Sequence, residues 1–369
     1  MPPIWQVRVK NAAGALVSVL TGGEKGFKSF SFTRRVNTPG SYVLLLAKAA
    51  DETAAAFQAR TADLFVLDGQ VEFWRRWPEM GIDWRLEFEA FHRTPDWYVT
   101  KEGELVYQSA GRGYLDLLNR AVVNAYAGTT GSAKSGAAET VLKAYVDEQL
   151  VNPTDTNRNR TGLTIEADGA GGNNIELQRS YKNVLEVCQY IASIGGGDFD
   201  IVGTGAATFE LRWYAGQRGT DRSASVIFAY ERGNMGSPHL TYARHDEKNA
   251  VLVGGQGEGE GRETVWRTTA GLIDDSPWNR CEAFRDARNE STTDGLNAVG
   301  DAELDAGKPR YVLTFEPIQT PGCLLGSDYF FGDLTTARFL SYSGTQKVKE
   351  VTFTVNEDAQ DVNVKLEEV

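Results

Sequence analysis

The chain has 369 residues, too many for one ordinary core and enough for about two to four domains. Hydrophobic residues make up 41% and charged residues 24%, which excludes wholesale disorder. Acidic side chains outnumber basic ones 50 to 38, a net charge of −12, so tight binding of nucleic-acid phosphates is disfavoured while loose passage of DNA is not.

Residues 1 to about 106 read as β. Ile4, Val7 and Val9 open a first strand, Leu16 to Leu20 a second, and Phe27 to Phe32 a third with Phe30 and Phe32 on one face. Ser41 to Leu46 is a short buried run, and Ala49 to Arg60 fits one helix. Asp68-Gly69 marks a tight turn before Gln70 to Trp74, because glycine reaches positive φ without steric cost. A hairpin then turns near Pro78 to Gly81. Its return strand sets Trp84, Leu86, Phe88 and Ala90 on one face and Asp83, Arg85, Glu87 and Glu89 on the other, an alternating pattern that predicts a solvated polar side.

From about residue 107 the period changes. Tyr114, Leu117, Leu118, Ala121 and Val122 follow helical spacing, as do Val141 to Leu150 and Val184 to Ile191. The last of these helices stops at Gly195-Gly196-Gly197, glycine being the usual C-terminal breaker. Strands Phe199 to Val202 and Phe209 to Tyr214 follow. The remainder returns to β: Val226 to Tyr230, Ala250 to Gly254, Thr264 to Thr268, Tyr311 to Phe315, Asp333 to Phe339, Lys347 to Val355 and Val362 to Leu366. Ser276-Pro277 is predicted to cap a helix, and a second helix runs to about Ala306. The expected fold class is α+β, mostly β: two β-barrel-like domains at 1–106 and 223–369, a small α+β domain at 107–222 between them, and a helical insertion at about 276–307. Asp68-Gly69 with its two strands echoes Gly332-Asp333 with the two strands that follow it.

No motif carries chemistry. Gly128 to Ser135 approaches a phosphate-binding loop but has Ala133 where glycine is required, and a Gly/Ser linker between helices accounts for it. Gly111-Arg112-Gly113 and Gly203-Thr204-Gly205 read as turn glycines. His239, His245, Asp246 and Glu247 lack a zinc spacing. Glu87 and Glu89 lie roughly 7 Å apart on a strand, within glycosidase range, but in a polar row beside Arg85. Trp74, Trp77, Trp84, Trp97 and Trp213 read as core or interface rather than a sugar platform. Cys188, Cys281 and Cys323 are odd in number and far apart, so neither a disulfide framework nor a thiolate site is expected, and Cys188 reads as core. Catalytic, cofactor-binding and metal residues are therefore none. The N-terminus shows no basic segment leading into an apolar run, so neither a signal peptide nor membrane insertion is expected.

Longer strings resemble the minor tail, or baseplate hub, proteins of long-tailed siphophages. They include Phe32-Thr33-Arg34-Arg35-Val36-Asn37-Thr38-Pro39-Gly40, Leu67-Asp68-Gly69-Gln70-Val71-Glu72-Phe73-Trp74, Glu231-Arg232-Gly233-Asn234-Met235, Asp275-Ser276-Pro277-Trp278-Asn279-Arg280 and Tyr329-Phe330-Phe331-Gly332-Asp333-Leu334. The resemblance covers nearly the whole chain and transfers no catalytic motif. It implies a non-enzymatic virion protein of the tail tip, made in the host bacterial cytoplasm and similar to contractile-phage hubs. It also implies a homotrimeric ring whose two barrels per subunit match a six-fold tube. The implied partners are a distal tail or tail tube protein, the tape measure protein, tail fibre or receptor-binding proteins, and DNA passing without specific binding. A host-surface carbohydrate-binding module is the alternative, and a cell-wall hydrolase a third.

Overall fold

Strand Ser29–Arg35 buries Phe30 and Phe32 on one face, as the period-two alternation requires. In the computed structural model, which describes residues 3–124, 131–290, 292–318, 320–356 and 359–368, this strand is the seam of the molecule. On one side it pairs with Thr38–Ala47. On the other it pairs antiparallel with Tyr342–Val355, setting Phe32 opposite Phe353. The N-terminal and C-terminal β halves thereby join one thirteen-stranded sheet. Its main path runs from Met235–Ala243 through Arg310–Pro317, Gln360–Glu368, Tyr342–Val355, the seam strand Ser29–Arg35 and Thr38–Ala47, then Leu105–Gly113, Ile82–Val99, Gln70–Trp77 and Ile4–Lys10, to Leu16–Leu20.

One core serves both halves. Phe32 meets Phe73 at 5.0 Å, Phe88 at 5.3 Å and Phe353 at 5.1 Å between ring centroids, contacts worth about 0.5–1.5 kcal/mol each beyond area burial. Phe228, Phe315 and Tyr329 extend the same cluster. The Pro78–Met80 turn closes with Gly81 at φ 69°, as the hairpin signal predicts. Both hairpins in the sequence echo, one after Asp68-Gly69 and one after Gly332-Asp333, lie in this sheet.

A second core fills the α+β module. Helix Val184–Gly195 begins where the Asn183 side chain accepts hydrogen bonds from the Leu185 and Glu186 amides, and ends at Gly196 in the left-handed region, φ 70°. It packs on helix Ala138–Val146. Cys188 lies wholly inside.

Several local expectations are corrected. The helical spacing from Tyr114 yields only Asp116–Asn119. Gly111 and Gly113 are not turn residues but lie within strand Leu105–Gly113, where a Cβ would meet the Phe91 carbonyl at 1.8 Å and the Pro39 carbonyl at 2.1 Å. Glycine is there because backbones approach closely. Of the loop-like string, Gly128 to Thr130 fall outside the described residues, while Ser132–Ala137 is a strand paired with Asn174–Arg179 rather than a linker.

The insertion is present with different content. Ser276 does accept a hydrogen bond from the Trp278 amide at 3.1 Å, yet no helix follows. Glu282–Asp286 forms a strand parallel to Ala250–Gly254, whose other edge pairs with Thr264–Thr268. A buried central strand needs partners on both sides, and that demand overrides the cap signal. Helix Thr293–Gly307 covers this small sheet through Leu296 and Leu304. Among the described residues, no helix is long and apolar enough to cross a membrane.

Candidate functional site at the junction of three modules

Two strands carry an arginine in the phase that should be apolar. Arg34 continues Phe30 and Phe32, and Arg75 continues Val71 and Phe73. Arg34 faces the place where the β halves and the α+β module meet, and Arg75 faces the loop at Leu325.

Arg75 is fully buried and pairs with Glu87 at 2.8 Å. It also donates to the Leu325 carbonyl at 2.6 Å, which ties the first β half to the loop before Asp333. Arg85 donates to the Gly326 carbonyl at 3.0 Å. That same loop presents Phe330 and Phe331 between arginines. Arg85 and Arg222 lie over Phe330 at 4.2 and 5.0 Å, and Arg34 and Arg218 over Phe331 at 4.5 and 5.3 Å. Such stacks are worth about 0.5–2 kcal/mol each, depending on desolvation.

Two buried aspartates complete the joint. Asp333 accepts from the Thr220 amide at 2.7 Å, the Phe330 amide at 2.9 Å and Arg222 Nε at 2.8 Å. Asp198 accepts from Asn37 Nδ2 at 3.1 Å, the Arg218 amide at 2.7 Å and Lys347 Nζ. Asn37 itself sits at φ 57°, and its side-chain oxygen receives the Phe199 amide at 2.8 Å.

Between these elements lies a cavity of about 430 Å³, lined among others by Arg34, Arg85, Glu89, Asp200, Arg218 and Phe331. The row expected to face solvent is its wall. Glu87 is buried, and Glu89 is pushed up to about 7, first by burial and then by the Glu72 and Asp200 carboxylates, against the Gly203 amide. Among the described residues, the cavity lining contains no Ser, Cys or His, and one Glu87 oxygen is held by Arg75. The arrangement ties the three chain segments together through ion pairs and ring stacks.

Glu89 gives a signed pH dependence. A carboxyl that ionises late in the folded state stabilises fully below its ordinary value of 4.5, and that contribution is lost as pH rises to about 7. Glu89→Gln is therefore expected to match the wild type near pH 5 and to exceed it at pH 8 by roughly 1–3 kcal/mol. Urea titrations of both proteins at the two pH values check this; parallel stability profiles would remove Glu89 as the cause.

The remaining sequence candidates are scattered. His239 lies on edge strand Met235–Ala243, while Glu247 is held by Arg244 at 2.7 Å. His92 is buried against Ser109 at 2.8 Å and pulled down to about 4 by burial. Among the described residues, no group of three or more His, Cys, Asp or Glu could hold a metal ion. Trp213 is buried, and Trp74, Trp77, Trp84 and Trp97 are half-buried, so they form no exposed platform. All three cysteines are free.

No curated protein sequence matches the chain. Solved structures do. The 43 kDa tail protein of prophage MuSo2 from Shewanella oneidensis is similar at 10% identity, TM-score 0.61, over 98% of each chain. A tail protein from Neisseria meningitidis MC58 is similar at 10% identity, TM-score 0.60, over 100% of this chain and 97% of that one. Prophage tail protein gp18 from Listeria monocytogenes EGD-e is similar at 10% identity, TM-score 0.57, over 98% and 94%. At such identities the likeness is one of fold. The model of the Siphovirus ReqiPepy6 Gp37-like protein family matches residues 7–366. With almost its entire length matched and the fold of phage tail proteins, this chain belongs to the Siphovirus ReqiPepy6 Gp37-like family.

Proposed function

We propose that the protein is a structural, non-enzymatic hub subunit at the tail tip of a long-tailed phage, assembling as a homotrimeric ring. The observation that carries this reading is the seam: two β halves share one sheet and one core, so each subunit is a stiff double unit. Three such subunits present six similar β units, which suits a six-fold tube above and a three-fold tip below. Ring closure uses head-to-tail contacts. The domain plan behind it is 1–106, 107–222 and 223–369. The partners are a distal tail or tube protein, the tape measure protein and receptor-binding proteins. DNA passes without specific binding, because an acidic excess of 50 to 38 disfavours a grip on phosphate. The protein is made in the host cytoplasm and resides in the virion.

One observation favours a carbohydrate-binding reading instead. Trp266 and Phe284 flank Leu252 in register on the insertion's sheet and are 46% and 56% exposed. Specific retention of host cell-wall glycan by a monomer would support that reading.

Light scattering on the purified chain, alone and with the tail tube protein, tests the hub. A mass of three subunits in either sample is expected. A monomer in both samples would overturn the ring, and clearing of host cell walls in a turbidity assay would overturn the non-enzymatic role.

A further inference from the structure

Most of the charges lining the junction cavity are held in ion pairs. Glu87 belongs to Arg75, at 2.8 Å. Asp200 belongs to Arg218, at 2.7 Å. Asp333 belongs to Arg222, at 2.8 Å. Arg35, also on the wall, belongs to Glu350, at 2.5 Å. Arg34 remains. The Arg34 side chain makes no hydrogen bond or ion pair with any described residue, and its guanidinium lies over the Phe331 ring, 4.5 Å away. Arg218, on the same wall, leaves its Nε without an acceptor.

Arg34 is half-buried, and a partly desolvated guanidinium without an ion pair is costly. Burial and the neighbouring Arg218 pull Arg34 down to about 10, a value at which it is still charged at neutral pH. Stacking fixes the plane of the group on Phe331 and leaves its N–H edge as the binding surface. That edge matches the two oxygens of a carboxylate or phosphate. A space of about 430 Å³ is within the size range of small-molecule sites.

We propose that the cavity at the junction of the three modules is a binding site for a small oxyanion, a carboxylate- or phosphate-bearing compound, with Arg34 as its principal ligand. The anion neutralises Arg34, and the Phe331 ring supports its body. Bound there, it bridges the first β half, the α+β module and the loop before Asp333, and so stiffens the joint. This goes beyond the hub reading and does not depend on it, because the site lies within one subunit.

Calorimetric titration of the whole chain with sulfate, inorganic phosphate and acetate, each against chloride at equal ionic strength, tests the site. At least one oxyanion is expected to bind saturably. Phosphate or sulfate alone would mark a tetrahedral ligand, acetate alone a planar one, and either supports the proposal. Arg34→Gln is expected to weaken binding by about tenfold or more, while Arg267→Gln, an exposed cation on the insertion paired with Asp301, leaves it unchanged. No binding by the wild type, or equal binding by Arg34→Gln, overturns the proposal. A measurement on the wild type guards against a variant that does not fold. Arg34 is labelled with phenylglyoxal and mapped by mass spectrometry, with and without the anion. Protection of Arg34 but not Arg267 is expected, and unaltered labelling of Arg34 overturns the site.

Discussion

Asp333→Ala is expected to destabilise the protein by about 3–5 kcal/mol, because it leaves a buried cation and two amides without acceptors at once. The carboxylate is almost fully buried and accepts from the Thr220 amide, the Phe330 amide and Arg222 Nε. Thr220 and Arg222 lie where the α+β module returns to β, and Phe330 lies on the loop that the arginines clasp. Three chain segments therefore lose one anchor. Equilibrium urea denaturation reads the loss as a lower midpoint. Asp333→Asn keeps an acceptor for the amides and is expected to recover part of it. A change below about 1 kcal/mol for the alanine variant would show that water replaces the carboxylate and that the joint is held elsewhere.

Arg75→Met is expected to cost a similar amount, about 3–5 kcal/mol, for a different reason. Arg75 is fully buried, and its removal strands the Glu87 carboxylate, 6% exposed, with Arg85 no nearer than 4.0 Å. The double variant Arg75→Met, Glu87→Leu is expected to recover most of the loss, because an apolar pair of similar volume carries no desolvation penalty. The recovery stays incomplete, since the Leu325 carbonyl also loses its donor. The double-mutant cycle measures this directly. Additive losses would mean that the pair is not coupled, and that Arg75 acts through its contacts with the Trp5 and Phe353 rings, at 5.9 and 5.2 Å.

These two variants separate the roles of the joint. Asp333 ties the α+β module to the C-terminal half, whereas Arg75 ties the N-terminal half to the loop before Asp333. Loss of ring assembly in one variant and not the other would locate the contact on which a ring depends.

Much of the fold is written in local periodicity. Phe30 and Phe32 fix the buried face of their strand, Pro78 to Gly81 turns a hairpin, and Gly196 ends a helix. Period two and period 3.6 depend only on near neighbours, so a sequence displays them. The signal for the joint was also present, as Arg34 and Arg75 standing in the apolar phase of their strands, but its meaning was not. The sequence could not name Glu87 as the partner of Arg75, nor the Leu325 carbonyl 250 positions away. It could not pair Ser29–Arg35 with Tyr342–Val355, and so could not unite two expected β halves in one sheet. It took Glu87 and Glu89 for a solvated row because alternation specifies sides, not what covers them. Ser276-Pro277 promised a helix until a neighbouring strand required an edge. Local stereochemistry alone settled which residues alternate and where the chain turns. Which strands pair, which charges meet and which polar faces are covered was decided by long-range burial, where an unpaired backbone or charge costs more than any local preference returns.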